Sequence, residues 1–361
     1  MNDQLLKERN AELKTHKLII PLVVSLTFIT GYVILNQEKS YLFKPKYFYL
    51  LLELILFIFS ILSYFVTPKS KFTVDHIIGV ILSSIFGFSL AMLFFTNTRF
   101  YQFYLYLLTE MIYHYSEYIS VIIYHIDNLD YKSFLLDHSN EWIFALIFSY
   151  LEAILGTIFF PKIKQNVYTF YLGIIITIIG QTFRIGALYT GKKNFTHLLS
   201  YEKKKDHFLM TSGFYGITRH PSYFGFLVWT IGTQLMCLNI ICLIGFPIGL
   251  YMFFEDRIIE EEGLLIEFFG YDYLEYKKQV GILIPFIKMD EKEELEHLEK
   301  YLEEHPDAKP KNNSNKRKMN KIHFSNINIY LKIINKANIF IQRFLFDFWT
   351  IIIFYPYALI K

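Results

Sequence analysis

"GITRHPSYFGFLVWTIGTQ", Gly216 to Gln234, sets an arginine, a histidine and a proline at the mouth of an apolar run. Pro221 suits the first turn of a helix, where the N–H it lacks has no intrahelical partner to lose. Arg219 and His220 then stand at the helix entrance beside free backbone donors, a place where an anionic group can be held. Gly225 and Gly232, seven apart, would let a neighbouring helix or a ligand approach closely. Charges snorkelling to a membrane surface would produce the same local pattern. The rest of the chain has to separate these readings.

Of 361 residues, 53% are hydrophobic, 19% aromatic and only 19% charged. A soluble protein would be about a quarter charged, so the composition points to a membrane. A net charge of +3 without any basic patch interleaved with aromatics argues against a nucleic-acid partner. Cys237 and Cys242, both in apolar runs, support neither a disulfide framework nor a zinc site. The charged N-terminus shows no small-residue cleavage site, so the first apolar run is expected to stay in the protein.

Crossing the hydrocarbon takes about 20 mostly apolar helical residues. Six runs approach that length: Leu18–Leu35, Tyr47–Val66, His76–Phe95, Phe100–Tyr124, Trp142–Phe160 and Val167–Leu188. Two shorter runs, Phe224–Leu238 and Ile240–Phe254, reach roughly 22 Å each at 1.5 Å per residue. With Asn239 between them they read as a tight hairpin. The expected fold is therefore all-α and polytopic, with about eight transmembrane helices. Lys7, Arg9, Lys14 and Lys17 place the N-terminus in the cytosol. Six crossings then return Lys192, Lys193, Lys203 and Arg219 to the same face, with the pocket on that side. Residues 1–99 are read as N-terminal membrane helices and 100–288 as the working membrane domain. Residues 289–321 form a Glu- and Lys-rich linker or solvated helix, and 322–361 an apolar extension that fits either an interfacial or a crossing segment.

Ionisable groups within membrane helices are costly and usually face a partner or a wet cavity. Glu110, His114 and Glu117 share one helix face, as an interhelical hydrogen-bond cluster or as the wall of a site. Metal ligation by these three is a weak reading, because no matched ligands lie near them, and no metal is expected. Arg184, after Gln181, either snorkels or contacts an anion at the headgroup level. Arg257 and Glu261 are neighbours on a helix at i, i+4.

Taken in order, these segments resemble the isoprenylcysteine carboxyl methyltransferases of the endoplasmic reticulum. "YHYSEY" (Tyr113–Tyr118) and "SFLLDHSNEW" (Ser133–Trp142) are similar to that family's middle section, and "RIGALYTGKKNFTHLLS" from Arg184 to its approach to the site. "HFLMTSGFYGITRHPSYFGFLVWTIGTQ" from His207 resembles its hallmark, and "EDRIIEEEGLLIEFFGYDYLEYKKQVGILIPFI" its C-terminal block. The resemblance covers roughly Phe100 to Ile287 and departs after Lys288. The RHPSYFG element and the EE…FGYDYLEY block also recur in membrane methyltransferases acting on lipids and, more loosely, in sterol reductases. A phospholipid amine methyltransferase is thus the alternative, with a sterol reductase-like enzyme and a transporter or scaffold more remote.

The resemblance implies S-adenosylmethionine-dependent methylation of the C-terminal carboxylate of a prenylated cysteine in CaaX-processed proteins such as small GTPases. It implies a multi-pass endoplasmic reticulum protein with its active site facing the cytosol. By position it gives a cofactor pocket of His207, Phe208, Leu209, Met210, Tyr215, His220, Pro221, Ser222, Tyr223 and Glu261. Ser200 stands where the family has a glutamine contact. Arg257, with Arg184, faces the substrate, and Arg257 and Glu261 are the residues expected to carry catalysis.

Overall fold

The computed structural model describes residues 74–95, 98–136, 140–164, 166–197, 199–203 and 207–308. The expected spans Leu18–Leu35 and Tyr47–Val66, and the extension 322–361, lie outside the described residues. The chain divides into two units after Tyr301, and the contacts described below lie within the first.

Among the described residues every regular element is helical. The longer helices are α1 (Val74–Phe95), α2 (Tyr101–Tyr124), α3 (Asn140–Phe159) and α4 (Val167–Gly191). After a largely irregular stretch come α5 (Pro221–Met236), α6 (Ile240–Phe269), α7 (Tyr271–Gln279) and α8 (Glu291–Glu304). Each apolar run from His76 onward is a helix, and Pro221 does occupy the first turn of α5. Asn239 caps α6 after a short turn, so the hairpin forms as expected. Its side chain ties the turn to α3, donating to the Ser149 carbonyl at 3.1 Å and accepting from Lys164 Nζ at 2.7 Å.

Two described helices, Asn140–Phe159 and Val167–Asn194, are long and apolar enough to cross a membrane. α5 has only 16 residues, and α6 turns ionic at Glu255. α6 departs most from expectation. It does not stop at Phe254 but runs for 30 residues, about 45 Å at 1.5 Å per residue. Its first half is apolar, and its second half carries Arg257, Glu261 and Glu262. One continuous helix, with Pro247 inside its apolar half, therefore bears both the lipid-compatible wall and the ionic chemistry.

The tightest helix contact is α4 against α5. A Cβ at Gly225 would lie 2.5 Å from the Arg184 backbone nitrogen. Cβ atoms at Gly180 and Gly232 would strike the backbones of Trp229 and Thr177, and one at Gly173 that of Met236. Small residues at such crossings let backbones touch, which replaces the hydrophobic drive that lipid cannot supply. The room offered by Gly225 and Gly232 is thus taken by a helix.

Glu110, His114 and Glu117 are all buried but lead to separate partners. Glu110 accepts from the Tyr150 hydroxyl of α3. His114 Nδ1 meets the Phe134 carbonyl at 2.7 Å, and Glu117 pairs with Arg184 of α4 at 2.5 Å. One face of α2 thus fastens two helices and a loop. Among the described residues no group of three His, Cys, Asp or Glu is placed to hold a metal ion.

Gly180→Ala and Gly225→Ala should each lower the thermal midpoint in detergent, with a cost of about 1–3 kcal/mol from overpacking. Gly249→Ala, whose Cβ meets open space, should cause no such loss; an equal loss would show that the glycine contact is not what holds α4 to α5.

Candidate functional site

A cavity of about 790 Å³ opens where α4, α5 and α6 meet the segment between α4 and α5. All thirteen residues expected from the sequence line it: Arg184, Ser200, His207, Phe208, Leu209, Met210, Tyr215, His220, Pro221, Ser222, Tyr223, Arg257 and Glu261. The cavity has two characters. Toward α7 it is walled by Tyr215, Tyr273, Tyr276 and the His207–Met210 strand of chain. Between α3, α5 and α6 it runs along Trp142, Leu146, Phe226, Phe246, Leu250 and Phe253.

The two parts meet at Arg257. Its Nε donates to the Tyr223 hydroxyl at 2.9 Å, and its Nη2 donates to the His197 carbonyl at 2.5 Å. Among the described residues, Nη1 has no protein partner. Tyr223 in turn donates to Glu261 Oε2 at 2.7 Å. The i, i+4 pair read from the sequence is therefore not a direct bridge; a phenol stands between the charges. Among the described residues the other Glu261 oxygen has no partner, and the side chain is 33% exposed.

Glu262, next to Glu261, was not singled out in the sequence, and it is the buried centre of the site. Its side chain is 2% exposed. Arg219 grips it from both sides, Nε to Oε1 at 2.6 Å and Nη2 to Oε2 at 3.2 Å. His220 Nε2 lies 3.1 Å from Oε1, the Tyr273 hydroxyl donates at 3.0 Å, and Lys277 Nζ sits 3.3 Å from Oε2. Burial pushes the Glu262 carboxyl up, but the His220 hydrogen bond and the charges of His220, Arg219 and Lys277 outweigh it. The group is held well below the usual carboxylate range. Burial also pushes the Tyr215, Tyr273 and Tyr276 phenols up, so they stay neutral, Tyr273 donating to Glu262 and Tyr276 to the Tyr215 carbonyl at 2.5 Å.

This changes the reading of the helix entrance. Arg219 is not available for an external anion, because the anion it holds is the protein's own Glu262. Its Nη1 also donates to the carbonyls of Val280 and Lys277 at 2.5 and 3.2 Å, and its backbone N–H to Gly281 at 3.1 Å. Arg184 does not snorkel either. It is 7% exposed, donates to Glu117 Oε1 and, at 2.6 Å, to the Ser222 hydroxyl. Its guanidinium lies over the Tyr113 and Phe226 rings at 5.5 and 5.9 Å. It lines the cavity while most of its donors face protein. Ser200 reaches the cavity rim, with its hydroxyl donating to the Glu202 carbonyl at 2.9 Å. Phe208 is held by its backbone N–H on Asn194 Oδ1 at 3.4 Å, which joins the NFTH stretch to the pocket wall.

The chain is similar to known proteins over these elements. Residues 173–267 match the model of the isoprenylcysteine carboxyl methyltransferase family. The chain is 41% identical to the human protein-S-isoprenylcysteine O-methyltransferase over 207 residues, 57% of this chain and 72% of that protein. It is 37% identical to the Saccharomyces cerevisiae protein of the same name, over 59% of this chain and 89% of that one. A solved structure of a eukaryotic intramembrane Ras methyltransferase, isoprenylcysteine carboxyl methyltransferase, superposes with a TM-score of 0.67 at 30% identity. It covers 77% of this chain and 98% of that chain. The shared stretch contains the entrance of α5, the ionic half of α6 and the glycine crossing, and on that ground the chain belongs to the isoprenylcysteine carboxyl methyltransferase family.

Proposed function

We propose that this chain transfers a methyl group from S-adenosylmethionine to the C-terminal α-carboxylate of a prenylated cysteine. It does so in the endoplasmic reticulum membrane, with the site open to the cytosol, on CaaX-processed proteins of the small GTPase type. The observation that carries this reading is Arg257. Its Nη1, without a partner among the described residues, stands where an apolar channel meets a polar chamber.

The residues present fit the methyl donor. Glu261 offers a free carboxylate oxygen to a cation, Tyr215 and the His207–Met210 segment supply apolar and aromatic surface, and the chamber has the size of a cofactor site. When bound, the donor supplies an electrophilic methyl on sulfonium, and its transfer converts carboxylate and sulfonium into neutral ester and thioether.

The protein's own residues then have a short task. A C-terminal carboxylate, with a pKa of about 3.5, is already ionised at neutral pH, so no general base is required. Arg257 orients it through Nη1, because a guanidinium matches carboxylate geometry. Tyr223 and the His197 carbonyl fix Arg257 from behind, which keeps its fork aimed into the cavity. Alignment of this kind supplies several kcal/mol of the barrier. The channel along Phe226, Phe246 and Phe253 takes the isoprenoid tail. Gly245 and Gly249 line it, and a Cβ at either would meet nothing within 4 Å. A phospholipid amine would find the same chamber, but a cationic amine gains nothing from Arg257.

Four outcomes are expected with labelled S-adenosylmethionine and N-acetyl-S-farnesylcysteine. The unmodified chain should form base-labile methyl ester, and Arg257→Ala should lower kcat/KM on the order of 100-fold, as loss of hydrogen bonds to a charge does. Ester formation unaffected by that change would remove Arg257 from the mechanism. Tyr223→Phe removes two charge-linked hydrogen bonds, the one from Arg257 and the one to Glu261, and should cost about tenfold or more, with Arg257 still present. Gly249→Leu should raise KM for farnesylcysteine and leave donor affinity alone; an unchanged KM would place the tail elsewhere.

A further inference from the structure

Beyond the cavity, α8 touches the site through a pair of charges that neither line it nor face substrate. Lys277 Nζ of α7 lies 2.6 Å from Glu294 Oε2 of α8 and 3.3 Å from Glu262 Oε2. We propose that Lys277 and Glu294 are positioning residues for the methyl-transfer site, acting through Glu262, so that α8 sets the geometry of the cofactor chamber. The proposal rests on the function proposed above.

Charge balance supplies the physical reason. Arg219 and Lys277, beside the His220 imidazole, bring positive charge to one buried carboxylate, Glu262. Glu294 provides the second negative charge, and its side chain is 31% exposed against 17% for Lys277. Lys277 is thereby held between two carboxylates. Without Glu294 its remaining partner among the described residues is Glu262 Oε2, which Arg219 Nη2 already uses at 3.2 Å. A buried charge pair changes position when its balance changes, because the desolvation cost of an unpaired charge is high.

From Glu262 the contacts continue without a break. His220 Nε2 meets Glu262 Oε1 at 3.1 Å, and the His220 ring stacks on Tyr223 at 5.7 Å between centroids and 18° between planes. Tyr223 holds Arg257 and Glu261. A shift at Glu294 therefore has a material route to both residues that face the ligands.

α8 is also built to fit. It contains no buried residue, as a solvated helix would, yet its inner side is seated on glycines. A Cβ at Gly263 would strike the His297 ring, and one at Gly270 the Tyr301 ring. His297 Nδ1 lies 2.7 Å from Glu267 Oε1, and Lys300 Nζ lies 2.8 Å from the same oxygen. The linker expected over this stretch is, for Glu291–Tyr301, a docked element, and it begins just past the part of the chain that resembles the family.

The test uses the full chain in detergent, with direct S-adenosylmethionine binding and steady-state kinetics on N-acetyl-S-farnesylcysteine. Glu294→Gln should raise the donor Kd and KM about fivefold, the low end of measured coupling between sites, with the thermal midpoint unchanged. Glu294→Asp should recover part of the loss. Glu294→Gln added to Lys277→Met should cost nothing further, since the first change has already cut the route. Glu296→Gln, whose exposed partner on α8 is Lys292 at 3.8 Å, is the control and should behave as the unmodified chain. Glu294→Gln with unaltered Kd and KM would overturn the proposal, as would a lowered midpoint and reduced active fraction at unchanged KM, the mark of a stabilising role alone. If the unmodified chain binds the donor but does not methylate farnesylcysteine, the substrate reading fails, while the Kd comparison still decides the role of Glu294.

Discussion

A single carboxylate, Glu262, fixes the relation between the parts that make the site. It draws Arg219 and His220 from the mouth of α5, Tyr273 and Lys277 from α7, and stands itself on α6. A buried carboxylate is tolerated only when its charge and lone pairs are met. Here the donors come from two elements, the mouth of α5 and α7, and neither can move without leaving a charge unpaired. Removing one partner of such a group typically costs 3–5 kcal/mol. Arg219 then binds the carbonyls of Val280 and Lys277 as well, so the chain after α7 is drawn back across the helix entrance. The cavity keeps its shape because its wall is fastened at this one point.

The second constraint is the length of α6. A site for a lipid-dissolved tail and a water-soluble partner needs a wall that serves both phases. α6 meets this by continuity: Phe246, Leu250 and Phe253 lie on the same rod as Arg257 and Glu261. The helix is continuous from Leu250 through Glu261, past the one internal proline at Pro247, so helical rise sets the spacing between Leu250 or Phe253 and the ionic groups. The glycine crossing of α4 and α5 does comparable work beside it, bringing Arg184 to within reach of Ser222.

Much of this was legible in the sequence. Apolar run length marks the helices from α1 to α5, Asn239 marks the hairpin, and Pro221 marks the start of α5. All thirteen expected site residues line one cavity, because the resemblance carried their order. What stayed hidden was partner choice. "EEE" at 260–262 gives three identical letters that a helix turns about 100° apart, and only the packing of α7 decides which one is buried. Arg219 looked available because its partner lies 43 residues away, beyond the reach of periodicity. α6 overran its apolar stretch because hydropathy reports lipid compatibility, whereas the helix continues on protein contacts. The Glu- and Lys-rich sequence of α8 hid its docking in the same way, since its fit depends on glycines in another helix.

The placement of Tyr223 resolves a difficulty that Arg257 and Glu261 would otherwise create. An arginine and a glutamate at i, i+4 readily pair, and a direct bidentate bridge would leave neither free for a ligand. The phenol accepts from Arg257 and donates to Glu261, so each charge is anchored on one side and open on the other. On the proposed reading, the two ligands carry opposite charges: a carboxylate that suits Arg257 and a sulfonium-bearing cofactor that suits Glu261. The protein pair therefore forms a template of complementary signs, held apart by one aromatic ring. Transfer of the methyl group would cancel the two reacting charges, carboxylate and sulfonium, together, and the attraction of those groups to that template would weaken as the reaction completes.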